Sequence, residues 1–215
     1  VNKPLLRINN FSDDFISKKN QNIIYNKLVK IIKSVDVLIF SDFNYGILPS
    51  PLIERITALC KKNSVITCAD SQLSSQVGDI LRFKNLDLLS QTEFEIRSSL
   101  RNNNDGLVKI MNDFAKNTSA ENIFLKLGDQ GLIINKYENI DQLFTDKLES
   151  FNKIPVDPSG AGDSLLVLSS MAYAITKDIW LSAYLGSLGA SIQVSREGNV
   201  PISYNELISL SSNLK

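Results

Sequence analysis

The chain of 215 residues has the length of one large domain, and its 43% hydrophobic residues suffice for a substantial core. Lysine and arginine total 23, as do aspartate and glutamate, so a formal charge of zero gives no broad attraction to nucleic acid or anionic membrane. The absence of histidine excludes histidine-based catalytic triads and histidine-containing metal sites. Carboxylates, lysines, tyrosines and two cysteines remain for proton transfer.

Apolar stretches, the N-terminal sequence and the cysteines indicate where in the cell the protein is expected. No stretch approaches the ~18 apolar residues of a membrane span, and VNKPLLRINN at the N-terminus lacks the apolar core of a secretory signal. We therefore expect a soluble, cytoplasmic protein. Cys60 and Cys68 lack CxxC spacing, which favours buried free thiols. The chain begins with Val1, so we expect it to start part-way through a longer gene product.

Helix and strand patterns alternate in the first half of the chain. A strand-like fragment at Leu5–Ile8 comes first, and Ile23–Ile32 then carries apolar residues on one helical face. Asp36–Phe40 is typical of a buried strand, a second helix opens at Pro51, and Val65–Ala69 is a second buried strand. This β-α-β order predicts an α/β fold with a mostly parallel sheet.

Strand patterns continue at Asp87–Leu89 and Ile123–Leu127, with a helix predicted over Leu107–Phe114 between them. The glycines of LGDQG, Gly128 and Gly131, then suit a tight hairpin, because Leu132–Asn135 resumes as an apolar strand. The alternative is a glycine turn that passes close to a nucleotide.

The last third is predicted to be mainly helical. Phe144–Ile154 is interpreted as an edge hairpin, followed by helices at Leu165–Ile175, Ile179–Val194 and Tyr204–Leu214. No repeat or flexible linker separates these segments, so residues 1–215 are expected to form one domain. The first two of these helices are rich in small residues, which allow close packing or leave room for a flat ring: Ala172, Ala174, Ala183, Gly186, Gly189 and Ala190.

Polar residues follow the first two strands. Asp42 and Asn44 lie in SDFNYG, and Asp70 ends the second strand. Ligands gather beyond the carboxyl ends of parallel strands, so Asp42, Asn44 and Tyr45 are placed to meet one, with Asp42 and Asn44 as the candidates for substrate contact. An ordinary loop closed by Gly46 is the alternative.

Charged residues near the third strand allow two interpretations each. Arg82 and Lys84 would neutralise a phosphate or stay solvated. Thr92 is a helix cap ahead of Glu93 and Glu95, which complement the helix dipole. Glu93 would also be placed to hold Mg²⁺ through water beside a nucleotide's phosphates.

The stretch VDPSGAGDSLLVL, Val156–Leu168, is the strongest functional candidate. Gly160 and Gly162 let the backbone approach a ligand, and the amides at the start of the following helix favour phosphate oxygens. Asp163 would either cap its own helix or take a proton from a hydroxyl that attacks the bound phosphate.

In chain order, SDFNYG, ADSQ, TEFE, LGDQG, DPSGAGDS and the small-residue helices before SREG resemble the ribokinase/PfkB carbohydrate kinase family, whose signature is GAGD. The closest resemblance is to the RfaE-like branch, which phosphorylates heptose 7-phosphate for ADP-heptose synthesis. The resemblance implies a ribokinase-like three-layer sandwich. It covers essentially the whole chain but only the C-terminal two-thirds of a typical member, without the N-terminal sugar-binding segment and β-strand lid.

The resemblance implies roles for individual residues. Asp163 would be the catalytic base, and the amides of Gly160, Ala161 and Gly162 would form the anion hole. Glu93 would organise Mg²⁺, and Asp157 would border a monovalent-cation (K⁺) site. The implied nucleotide-binding residues are Gly128, Gly131, Ser187, Ala190, Ser191 and Val194.

Two positions depart from the family pattern. Ser90 stands where the Asn-x-x-Glu motif has asparagine. Asp70, Ser71, Gln72 and Leu73 stand where heptose kinases commonly have Asp-Pro-Lys-Gly, so the lysine is missing.

The expected function is that of an ATP- and Mg²⁺-dependent carbohydrate kinase acting on a sugar or sugar phosphate, of the heptose 7-phosphate kinase type. No nucleic-acid or membrane partner is expected, and association would involve a second copy of the chain or the missing N-terminal segment. The alternatives are a non-catalytic nucleotide-binding module that acts through another chain, and an adenosine- or ribose-type kinase.

Overall fold

The computed structural model describes residues 14–73, 79–139 and 142–213. The fragment predicted at Leu5–Ile8 lies outside these ranges. The strands are β1 (Val37–Asp42), β2 (Ile66–Ser71), β3 (Leu88–Thr92), β4 (Asn122–Lys126), β5 (Leu132–Asn139) and β6 (Gln142–Leu148). The helices are α1 (Lys18–Ile31), α2 (Ser50–Lys62), α3 (Glu93–Leu100), α4 (Leu107–Thr118), α5 (Ala161–Thr176), α6 (Ile179–Val194) and α7 (Tyr204–Asn213).

The six strands form one sheet in sequence order. β1 to β4 are parallel neighbours, whereas β5 and β6 run antiparallel. The predicted α/β fold with a mostly parallel sheet is therefore confirmed. The tight turn predicted after β4 is also confirmed, since Leu125 pairs with Ile133 across it.

Alternating strand residues divide the interior into two cores. In β4, Ile123 and Leu125 pack with the core under α2, α3 and α4, whereas Phe124 faces the core under α5 and α6. The side chains are buried on both sides because helices cover both faces of the sheet. The result is a three-layer sandwich with the carboxyl ends of four parallel strands at one edge.

The edge hairpin predicted over Phe144–Ile154 is confirmed up to Leu148, in the edge strand β6, and is wrong for the residues after it. β6 ends at Leu148 and pairs with β5, and the residues that follow form an irregular loop. Val156 N–H donates to the Val194 carbonyl at 2.7 Å, so this loop bonds to the end of α6 rather than to another strand. The apolar residues of the loop resemble strand alternation in sequence, but Phe151 packs on Tyr184 of α6 and Ile154 is exposed.

β3 is longer at its carboxyl end than the sequence predicted. Its last residues are polar, yet Ser90 and Gln91 are completely buried. Polar residues at the carboxyl end of a central strand hide the strand signal, because hydrophobic alternation stops before the pairing does. The extension carries Thr92 to the start of α3.

The structure bears on the predictions for the two cysteines and for membrane-spanning helices. Cys60 and Cys68 are buried free thiols, and burial raises the pKa of Cys68 to about 12. Within the described ranges, no helix is long and apolar enough to cross a bilayer.

Small residues bring α5 and α6 into close contact. A Cβ at Gly186 would collide with Ser169 Oγ and would lie 2.7 Å from the Leu165 carbonyl oxygen. Gly186 is buried between the two helices. Close packing, rather than a space for a ring, therefore explains the glycine at this position.

We expect Gly186→Ala to lower the free energy of unfolding by about 1–3 kcal/mol, because the Leu165 backbone cannot move away. Gly189→Ala is the matched control in the same helix, since the added methyl meets the flexible end of the Leu168 side chain. Urea unfolding of both variants measures the difference. Equal stability of the two variants would contradict this account of the α5 and α6 packing.

Candidate active site

The carboxyl ends of the parallel strands gather charged side chains at one edge. Asp42 ends β1, Asp70 is the penultimate residue of β2, and Lys126 ends β4. Ser41 of β1 is the register partner of Asp70. The sequence-based placement of Asp42 and Asp70 at the same edge is therefore what the strand register gives.

The GAGD stretch forms the start of α5 at this edge. Gly160 precedes the helix with φ +76°, a left-handed conformation that is strained for other residues. A Cβ there would also lie 2.5 Å from Asn199 Oδ1. Glycine is thus required for both the turn and the approach of the neighbouring loop.

The first turn of α5 leaves backbone donors open. The N–H of Ala161 donates to the Pro158 carbonyl at 3.2 Å, which closes the turn. In the described part of the chain, no acceptor contacts the N–H groups of Gly162 and Asp163. Unpaired first-turn amides form an anion-binding site, and the helix dipole adds to it.

Asp163 does not act as the cap of its own helix. Among the described side chains, none makes a capping hydrogen bond to the start of α5. The Asp163 carboxylate is near enough to Asp70 to raise the pKa of that carboxyl. The structure thus rejects the capping alternative and leaves the carboxylate of Asp163 at the edge of the sheet.

A cavity of about 210 Å³ opens beside this helix start. Phe151, which packs edge-on against Tyr184 with ring centroids 5.4 Å apart, forms part of one wall. All six residues that the sequence assigned to nucleotide binding line this cavity: Gly128, Gly131, Ser187, Ala190, Ser191 and Val194. Ala161 and Gly162 also line it, so the glycine turn and the α5 start face one space.

Gly131 serves both interpretations of the LGDQG turn. Its φ is +93°, and a Cβ would collide with the Leu148 carbonyl oxygen at the end of β6. The turn therefore closes a hairpin and also lies at the wall of the cavity.

A buried glutamine fastens the loop before α5. Gln193, 1% exposed, donates from its side-chain amide to the carbonyls of Gly198 at 2.9 Å and Ser159 at 3.2 Å. Asp157 accepts from the N–H groups of Ser159 and Gly198, and hydrogen bonding from the Ser159 side chain, followed by these two N–H groups, lowers the pKa of Asp157. Both side chains hold the loop in place. No sequence pattern marks Gln193 for this role, because its partner Ser159 lies in a loop that is distant in sequence.

Asp70 and Lys126 form an ion pair at the base of the cavity. Lys126 Nζ lies 2.6 Å from Asp70 Oδ2, and the two side chains are 15% and 2% exposed. Loss of solvation raises the pKa of Asp70 to about 6, although Lys126 acts in the opposite direction. The sequence interpretation had assigned Lys126 no role.

The carboxylates predicted to hold metal do not form a ready-made cation site. Glu93 Oε1 accepts from Arg97 Nε at 2.7 Å, and both oxygens of Asp157 accept from backbone N–H groups. The described segments contain no group of three metal-binding side chains. The arrangement fits Mg²⁺ only as an ion that enters with a nucleotide and keeps waters and phosphate oxygens as ligands.

Thr92 caps the N-terminus of α3. The Thr92 hydroxyl accepts from the Glu95 N–H at 3.3 Å, and the Glu95 carboxylate accepts from the Thr92 N–H at 2.7 Å. The predicted cap is confirmed as a reciprocal capping box. Glu93 remains in the first turn with its side chain partly exposed.

Asp42 and Asn44 are held in a polar network with Arg82. Asp42 pairs with the Arg82 guanidinium and accepts from the Ser71 hydroxyl at 2.8 Å. The Asn44 amide donates to the Gln72 carbonyl at 2.8 Å and accepts from Arg82 at 2.7 Å. The solvated alternative for Arg82 is wrong, because its side chain is 8% exposed.

Solved structures of similar fold are sugar kinases. Phosphofructokinase-2 from Escherichia coli in complex with potassium gives a TM-score of 0.74 at 14% identity, over 93% of this chain and 63% of that one. Arabidopsis thaliana ribokinase with ribose and ATP gives 0.69 at 16% identity, over 93% of this chain and 60% of that one. These similarities show a ribokinase-like fold.

The profile described as "pfkB family carbohydrate kinase" matches residues 8–203. The chain therefore belongs to the pfkB family of carbohydrate kinases.

Curated relatives are longer than this chain. The bifunctional protein HldE of Sulfurimonas denitrificans is 27% identical over 96% of this chain and 42% of its own length. A sugar kinase of Buchnera aphidicola, described as uncharacterized, is 24% identical over 95% of this chain and 62% of its own length. The chain thus spans less than half of the bifunctional relative.

The raised pKa of Asp70 predicts a pH dependence of stability. Asp70 binds a proton more tightly in the folded chain than in the unfolded chain, where its pKa is near 3.8. Its contribution to the free energy of unfolding is therefore full below pH 3.8 and falls as the pH rises to about 6. Across this window, the parent should lose about 1–3 kcal/mol relative to Asp70→Asn.

Urea unfolding of the parent and of Asp70→Asn at a series of pH values measures this difference, in which the other titrating groups cancel. A stability difference that stays constant from pH 4 to pH 6 would show that Asp70 is not desolvated in the fold.

Proposed function

We propose that this chain is the nucleotide-binding part of an ATP-dependent sugar kinase and carries its catalytic base. The observation that supports this most is the start of α5, where the N–H groups of Gly162 and Asp163 are unpaired and Gly162 lines a cavity shared with the LGDQG turn and α6. The backbone donors suit the phosphate chain of a nucleotide, and the mostly apolar cavity next to them suits its adenine ring.

In this proposal, the adenine lies between the LGDQG turn and α6, where Ala190 and Val194 provide an apolar wall. The phosphate chain extends to the start of α5. The Gly162 and Asp163 amides then bind oxygens of the transferring phosphoryl group, so that developing charge meets fixed dipoles. Mg²⁺, when bound with ATP, supplies further neutralisation of the phosphate oxygens.

Asp163 is the proposed general base. Its carboxylate is free of the capping hydrogen bond that would otherwise occupy it. It would accept the proton of the attacking sugar hydroxyl while the amides hold the phosphoryl group in line. Asp157 and Gln193 would keep the loop before α5 in the required position, with K⁺ beside Asp157 as in the implied family site.

The substrate proposed is a heptose 7-phosphate, on the similarity to the bifunctional HldE proteins. Asp42 and Asn44 lie at the same sheet edge, but their side-chain groups are engaged with Arg82 and Ser71. We propose that this network holds the SDFNYG loop in the conformation that contacts the sugar. ATP would be the phosphoryl donor.

Asp163→Asn should lower turnover by about 10²–10⁴-fold while Mg·ATP binding stays close to that of the parent, because a general base acts on the transition state. ADP release with heptose 7-phosphate, ribose and fructose 6-phosphate measures turnover, and calorimetry measures binding. Asp146→Asn, a change on β6 outside the cavity lining, is the matched control.

Retention of most of the parent's activity in Asp163→Asn would reject Asp163 as the base. Nucleotide binding without transfer to any sugar would instead favour a non-catalytic module. A preference for ribose would favour the hypothesis of a ribose-type kinase over that of a heptose 7-phosphate kinase.

A further inference from the structure

Lys126 has an unusual position for a surface cation. It ends β4, and its side chain crosses the edge of β3 to reach Asp70 on β2. The ammonium is thereby drawn under the first turn of α5: a Cβ at Gly162 would lie 3.4 Å from Lys126 Nζ and 3.4 Å from Asp70 Oδ2. The cation thus lies against the backbone whose N–H groups are open.

The donors of Lys126 are not used up. An ammonium carries three N–H donors, and within the described residues Asp70 is the only acceptor that contacts it. Lys126 also lines the cavity, together with Gly128 and Gly162. Two N–H groups of the side chain are therefore available to a ligand in the cavity.

Asp70 is itself incompletely satisfied. Its side chain is 2% exposed, and no partner for Oδ1 is found in the part of the chain that the structure describes. A buried carboxylate with one unpaired oxygen is costly, and a buried ion pair seldom repays its desolvation by attraction alone. Such a pair is better explained by a ligand-binding role for its cation than by stability.

Three donors lie near one another at the start of α5. The ammonium of Lys126 lies next to Gly162, and the described residues offer no hydrogen-bond partner to the N–H groups of Gly162 and Asp163; Asp70 Oδ2, already paired with Lys126, is the neighbouring acceptor. Three neighbouring donors, one of them charged, match the oxygens of a phosphate group. A neutral ligand would leave the charge of Lys126 without compensation beyond Asp70.

We propose that Lys126 binds the phosphate chain of the nucleotide at the start of α5, and that Asp70 is the positioning residue that holds its ammonium over Gly162. This inference rests on the proposed function, because it assigns the charged contact of the same nucleotide site. Lys126 would also reduce the repulsion between the incoming phosphates and the carboxylates of Asp70 and Asp163.

The test compares a Mg²⁺-bound, non-hydrolysable ATP analogue with adenosine, which lacks phosphates, by calorimetry on the 215-residue chain. Lys126→Gln should weaken binding of the ATP analogue by about 10- to 100-fold, the loss expected for one charge-assisted hydrogen-bonding group. Adenosine binding should not change. Lys126→Arg, which keeps the charge, should retain more of the affinity for the ATP analogue than Lys126→Gln.

The double variant Asp70→Asn/Lys126→Gln removes both charges, so it leaves no unpaired buried carboxylate if the single variant fails to fold. If Asp70 acts through Lys126, Asp70→Asn alone weakens binding of the Mg²⁺-bound ATP analogue, and the double variant binds the analogue no more weakly than Lys126→Gln. Additive losses would assign Asp70 a structural role and overturn its positioning role.

A folded double variant that binds the Mg²⁺-bound ATP analogue as tightly as the parent would overturn the role of Lys126. An equal loss of affinity for adenosine and for the ATP analogue would also overturn it, since Lys126 would then shape the cavity and not contact phosphate. A parent chain that binds neither ligand would reject the proposed nucleotide site itself, a result distinct from both.

Discussion

The turn at Gly160 is the constraint on which the candidate site depends. Its left-handed backbone redirects the chain from the loop onto the sheet, so that α5 begins directly above the carboxyl ends of the parallel strands. A side chain at Gly160 would strain the turn and displace Asn199. Gln193 and Asp157 then fix the loop from the other side, through hydrogen bonds to Ser159 and Gly198.

The charged side chains next to the start of α5 are arranged around the ammonium of Lys126. Lys126 faces Asp70 directly, and Glu95 and Asp163 both raise the pKa of Asp70. Negative charge therefore exceeds positive charge around the start of α5, while the helix itself offers unpaired N–H groups. In the mechanism that we propose, these N–H groups and Lys126 attract the incoming phosphate, and Asp163 lies close to the reacting hydroxyl.

Much of this arrangement could be predicted from the sequence because local patterns determine it. The alternation of helix and strand patterns predicts the parallel sheet. The GAGD string before an apolar helix predicts where the unpaired N–H groups lie. Gly128 and Gly131 were placed correctly because glycine turns have few backbone solutions. The resemblance to a kinase family added the α6 residues, which have no local signal of their own.

The remaining features could not be predicted because they join distant segments. The pairing of Asp70 with Lys126 links residues 56 positions apart, and the contact of Arg82 with Asp42 links residues 40 apart. The apolar residues of the loop after Leu148 suit either a sheet or a helix surface, so the sequence pattern predicts a hairpin there. Only the packing against α6 distinguishes the two.

A crystal structure of the chain with Mg²⁺ and a non-hydrolysable ATP analogue tests the central claim most directly. The account predicts that the terminal phosphate lies within hydrogen-bond distance of the Gly162 and Asp163 amides, with the adenine between the LGDQG turn and Ala190. A terminal phosphate far from the start of α5, or an adenine at that position, would contradict it.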